Sequence, residues 1–87
     1  MSYQAMVPVI GNELAEEIDE ELHRATTKFP AINSGHEGYA VILEELDEAW
    51  EEIKRKGADP ALIRGELIQV AAMAIRTIKD CYSRPDR

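Results

Sequence analysis

The chain contains a single cysteine, Cys81, so it can form no internal disulfide, and a reducing compartment, the cytoplasm, is the expected setting. Long hydrophobic runs are also missing. The longest uncharged apolar stretch, Leu67 to Ile75, is interrupted by Gln69 and is too short to span a bilayer. No basic patch followed by an apolar segment opens the chain, so neither secretion nor membrane insertion is expected. Basic residues are scarce, with 10 Lys and Arg against 17 Asp and Glu and a formal charge of −7. That balance repels a phosphate backbone, so nucleic acid is not an expected partner. The two histidines, His23 and His36, have no second histidine or cysteine at metal-ligand spacing, which removes a structural zinc site. No G-x-x-x-x-G-K-[ST], G-x-G-x-x-G or G-x-S-x-G pattern occurs, which removes the usual phosphate loops and the serine-hydrolase elbow.

What remains is an acidic chain of 87 residues with no internal repeat and no linker, and hence a single domain over residues 1–87. So short a chain exposes much of its apolar surface unless a metal or a second subunit assists. Its periodicity predicts an all-α fold. After a loose Met1 to Gly11 start containing Pro8, Asn12 is a plausible N-cap. Leu14, Ile18, Leu22, Ala25 and Phe29 then recur at helical spacing until Pro30, placing a first helix over about 13–28. Ser34-Gly35-His36-Glu37 has the form of a capping box and opens a second helix over about 35–56, closed at Gly57. Tyr39, Ile42, Leu43, Leu46, Ala49, Trp50 and Ile53 fall on one of its faces. Asp59-Pro60 supplies the cap and first position of a third helix over about 60–82, with Ile63, Leu67, Val70, Ala74 and Ile78 as its core stripe and Pro85 beyond its end. A turn of about three residues makes the two long helices an antiparallel hairpin. A homo-oligomer, dimer or tetramer, completing a four-helix-type bundle is the simplest way to cover Trp50, Met73 and the remaining apolar surface.

The second helix carries a dense acidic run from Glu44 to Glu52. Glu51 and Glu52 have Arg55 and Lys56 four residues on and read as surface ion pairs. Glu44, Glu45 and Glu48 have no such partner. At 100° per residue Glu45 lies at the edge of the buried stripe, with Glu48 about 60° further out. A partly desolvated carboxylate there needs a cation, from a basic side chain of another helix or from a metal. Glu66 and Gln69 lie three apart on the flank of the third helix, where the antiparallel hairpin brings Glu66 toward the later part of the second; a salt bridge from Glu66 to Arg64 or to the first helix is the competing reading. Oxygen ligands from two helices, with positions left for water and phosphate, suit magnesium. Cys81 shares the angular position of Ile63 and reads as a small buried side chain.

Gly38 to Ile53, together with the segment from Arg64 to Ala74, resembles the two helical motifs of the MazG-like all-α nucleoside triphosphate pyrophosphohydrolases. The resemblance covers the second half to two thirds of the chain. In that family an E-E-x-x-E motif and an E-x-x-D motif hold magnesium, while water attacks the triphosphate to release pyrophosphate and a monophosphate. Matched residue by residue, the first motif falls on Glu44, Glu45 and Glu48 and the second begins at Glu66. The resemblance therefore implies magnesium held by Glu45, Glu48 and Glu66, with Glu44 as a further ligand or as the base that orients the attacking water. It departs at Gln69, which stands where the family has aspartate and offers the ion a neutral oxygen. Lys28, Arg64, Arg76 and Lys79 are candidates for the phosphates, or else ion-pair partners of acids. A non-catalytic helical module of the same fold, binding a nucleotide or a protein, is the second class of function open to this sequence, and Gln69 is the residue that favours it.

Overall fold

Three helices and their connections account for residues 9–84, which the computed structural model describes. Most of the loose start expected over Met1 to Gly11, including Pro8, lies outside those residues, as does Pro85. The helices are α1 (Asn12–Lys28), α2 (Gly35–Ile53) and α3 (Pro60–Cys81), with no strand among the described residues. No helix is long and apolar enough to cross a membrane.

Caps explain where each helix begins. At α1 the cap is Gly11, at a left-handed φ of 85°, with no side-chain hydrogen bond, so Asn12 is the first helical residue rather than the N-cap. Ser34 caps α2, its hydroxyl accepting from the Glu37 amide at 3.1 Å. The Glu37 carboxylate does not close the box on Ser34; it reaches one residue further back and accepts from the Asn33 amide at 3.0 Å. Asp59 caps α3 by accepting from the Ala61 amide at 2.9 Å, with Pro60 at the first helical position. Each side-chain cap is worth about 1 kcal/mol.

The expected end of α2 is three residues late. Its last helical residue is Ile53, and the chain to Pro60 is a six-residue connection with Gly57 at φ 74°. Lys54 and Arg55 leave the helix there, so Glu51 and Glu52 pair with them at a spacing of three, at 3.0 and 3.4 Å, and not with Arg55 and Lys56 at a spacing of four.

α3 is the axis of the fold: α2 and α1 each pack on it, and among the described residues α1 and α2 make no close backbone contact with one another. Gly38 marks where α2 and α3 approach, since a Cβ there would run into the buried Thr77 side chain. From that point the antiparallel hairpin places Ile42 near Met73 and sets Glu48 against Glu66. Ala25, Ala72 and Met73 form the buried core, with Leu22, Val41 and Ile42 packed around it. Met73 is therefore covered within one chain and needs no second subunit.

The buried face of α3 is turned away from the expected stripe. Ala72, Met73, Arg76 and Thr77 are buried, whereas Leu67 and Ile78 are exposed. The reason is geometric: α3 is apolar over more of its circumference than two neighbours cover, and both lie toward the Met73 side. On α2 the expected apolar face is split. Ala49 is buried and Ile42 half-buried, while Tyr39, Leu43, Leu46, Trp50 and Ile53 are exposed, Trp50 at 54%. Phe29 is likewise half exposed, and Cys81 is partly buried with its thiol donating to the Ile32 carbonyl at 3.4 Å.

Two glycine substitutions test this packing. Gly38→Ala should lower the urea midpoint by about 1–3 kcal/mol of stability, the range for overpacking a tight contact. Gly65→Ala, where nothing lies within 4 Å of the added Cβ, should raise it by about 0.4–1 kcal/mol.

Candidate metal centre and cavity

Helical spacing places Glu44, Glu45 and Glu48 on adjoining rows of α2, and one carboxylate oxygen from each lies within 4.8 Å of the others. Glu45 is half-buried and its Oε2 is shielded from solvent with no hydrogen-bond partner. Glu66, arriving from α3, has its Oε2 in the same condition. Neither carboxylate has an ion-pair partner among the described residues. Arg64 binds Glu17 of α1, at 2.5 Å from Nη2 to Oε2, and so is not the cation for Glu66. Arg24 is held by Glu21 of α1, Nε to Oε1 at 3.0 Å, and Glu45 adds only slightly to what Glu21 does to raise its guanidinium.

The electrostatic consequence is the same at both orphaned groups. Burial pushes the Glu45 carboxyl above its ordinary value of 4.5, and the charges of Glu48, Glu66, Glu44 and Glu21 push it further. Burial again leads at Glu66, followed by Glu48 and Glu52, and Glu48 would share a hydrogen bond with the protonated form. Glu52 was expected on an ordinary solvated face. Its side chain is only 13% exposed and stands beside Glu66 while pairing with Arg55. Its spacing from Glu45 and Glu48, seven and four residues, was the signal that it shares their side of the helix.

Beside the carboxylates lies a cavity of about 320 Å³, roofed by α1 and α2 and floored by α3. It exists because α1 and α2 diverge across α3. Glu44 and Glu45 stand at one part of its wall, Phe29 and Val41 supply apolar surface, and Gln69, Met73 and Arg76 line it from α3. Gln69 thus sits in one cavity with Glu44 and Glu45. Of the four candidate phosphate contacts, Arg76 alone lines this cavity. Lys28 lies over the Phe29 ring, Arg64 is bound to Glu17, and Lys79 is exposed on the last turn of α3. His23 and His36 are both exposed.

Sequence reasoning missed the α1 side of this site, Glu21, Arg24 and Phe29, because the pairing of α1 with the hairpin leaves no mark in periodicity. A larger cavity of about 460 Å³ lies elsewhere, between α1 and α3, lined by Leu14, Ile18, Ile63 and Leu67. Apart from Arg64 its lining is apolar, and it holds no convergent set of polar groups. The smaller cavity is the one into which several polar and charged side chains converge. No protein-family model, curated protein or solved structure matches the chain.

Because the Glu45 and Glu66 carboxyls are raised, the stability they confer is full below about pH 4.5 and is lost as pH rises through their folded-state values. In EDTA, lowering the pH from about 7 to about 5.5 should therefore raise the melting temperature, with a smaller rise in Glu45→Gln. At neutral pH the same substitution should raise the melting temperature by a few degrees in EDTA and reduce the stabilisation given by magnesium, both read by differential scanning fluorimetry.

Proposed function

We propose that this protein is a magnesium-dependent hydrolase that cleaves a nucleoside triphosphate to a monophosphate and pyrophosphate. The observation that carries the reading is the pair of buried, unpartnered oxygens on Glu45 and Glu66, facing a carboxylate cluster with no cation of its own. Such a cluster is unfavourable by itself, because desolvated like charges repel at short range in a poor dielectric. A hard divalent ion with oxygen ligands reverses that balance. The resemblance of the two helical segments to the MazG-like pyrophosphohydrolases points to the same chemistry and selects magnesium among the hard ions.

Glu45, Glu48 and Glu66 would hold the ion, with Gln69 contributing a neutral oxygen directly or through water. When bound, it would offset the negative charge of the phosphate oxygens and acidify coordinated water. Glu44, exposed at the rim beside Glu45, is the group that orients the attacking water and accepts its proton. The α–β phosphoanhydride then breaks, and pyrophosphate departs.

The exposed stripe on α2 belongs to the same reading. Tyr39, Leu43, Leu46, Trp50 and Ile53 are spaced by four, three, four and three residues, the repeat of a coiled-coil seam. A second copy packing there would complete a four-helix-type bundle and cover the apolar surface one chain leaves open.

Incubation with a panel of ribo- and deoxyribonucleoside triphosphates should release pyrophosphate and a monophosphate in magnesium and nothing in EDTA. Glu48→Gln should fold and lose turnover; retention of full activity by that variant would sink the assignment. Sedimentation should give a dimer or tetramer for the native chain and a lighter species for Trp50→Glu.

A further inference from the structure

Arg76 is the one charged side chain in the buried core, only 6% exposed, and it has no ion-pair partner among the described residues. A guanidinium has five N–H donors. Here one meets an oxygen, the Pro30 carbonyl at 2.8 Å, another points at the Met73 sulfur at 3.8 Å, and Nε is buried with no partner. Burying a cation so poorly paired is costly, and the group lines the cavity beside the carboxylates.

Position within the cavity narrows what it meets. Gln69, Met73 and Arg76 are spaced by four and three residues on α3 and line the cavity together. Seven residues of helix separate Gln69, in the part of α3 next to Glu66, from Arg76, a distance of roughly 10 Å. That span is of the order of a nucleotide from its 5′-phosphate to the far edge of its base. The intervening walls, Val41, Phe29 and Met73, are apolar and suit an aromatic ring, and about 320 Å³ falls at the small end of small-molecule pockets.

We infer that this cavity is a nucleobase pocket in which Arg76 is the specificity-determining residue, donating to a ring carbonyl of the base. A donor-only guanidinium favours the carbonyl edge of hypoxanthine, guanine, uracil or thymine over the amino edge of adenine. The inference rests on the nucleotide reading of the neighbouring carboxylates, but it is tested without metal or phosphate. The probes are inosine and adenosine, which differ at the six position by a carbonyl against an amino group, titrated in EDTA against the native chain and followed by amide chemical shifts. Inosine should bind at least about tenfold more tightly than adenosine, with the largest shifts around the cavity. Arg76→Gln, whose amide offers an acceptor as well as donors, should erase the preference. Val41→Trp, which fills the cavity and leaves Arg76 in place, should abolish binding of both, with circular dichroism and the magnesium-induced rise in melting temperature as controls for fold and metal site. Equal affinities, no binding, or a preference that survives both variants would overturn the pocket even if magnesium-dependent turnover is found. Inorganic tripolyphosphate displacing inosine in EDTA, with its binding lost in Arg76→Gln, would also overturn it and give Arg76 to a phosphate.

Discussion

The segment joining α1 to α2 has no secondary structure of its own, and side chains from the last turns of α3 hold it in place. Arg76 donates to the Pro30 carbonyl, Asp80 accepts from the Ile32 amide at 2.9 Å, and the Cys81 thiol donates to the Ile32 carbonyl. Ile32 is buried beneath them. The two that involve a charged group, from Arg76 and to Asp80, contribute about 1.5–3 kcal/mol each. Together they fix where α1 ends and α2 begins, and so they set the separation of those two helices across α3. The cavity is the space that separation leaves. Arg76 therefore belongs both to the framework and to the wall of the site.

A cluster of acids without counter-ions sits beside this cavity, and the rest of the surface shows that the chain does not lack ways to neutralise acids. Glu17 has Arg64, which holds its carboxyl below the ordinary value, Glu21 has Arg24, Glu51 has Lys54 and Glu52 has Arg55. Among the described residues Glu44, Glu45, Glu48 and Glu66 have none. Stability alone would favour a lysine nearby, so like charges are held together here at a local cost.

Helix existence was legible from the sequence because it depends on local rules: Ser34 and Asp59 announce themselves as caps, and Pro30 and Pro60 fix the neighbouring boundaries. Helix facing was much less legible. Leu67 and Ile78 have the right spacing for a core stripe, but spacing does not say which flank of a broadly apolar helix a neighbour occupies. The end of α2 was misplaced because Gly57 adopts the expected left-handed backbone only after Lys54 and Arg55 have already left the helix. Within the site, Glu45, Glu48 and Glu66 could be nominated from spacing and family resemblance. Glu21 and Phe29 could not, since their arrival depends on how a separate helix docks. Arg76 could be nominated only as one of four basic residues open to a phosphate or an acid, and nothing in the sequence marks Pro30 as its acceptor.

The unequal connections of this fold also bear on how it assembles. α2 and α3 are joined by six residues and meet along their length, so their contacts close short loops and cost little chain entropy. Among the described residues α1 makes its close backbone contacts with α3, reached across the whole of α2, and its docking closes a much longer loop. A chain from which α1 has lifted away still presents Glu44, Glu45, Glu48 and Glu66 on the intact hairpin, but it loses the Glu21 and Arg24 side of the cavity over Gln69, Met73 and Arg76. The carboxylate cluster therefore depends on the short-loop hairpin alone, whereas the cavity also depends on the long-range docking of α1.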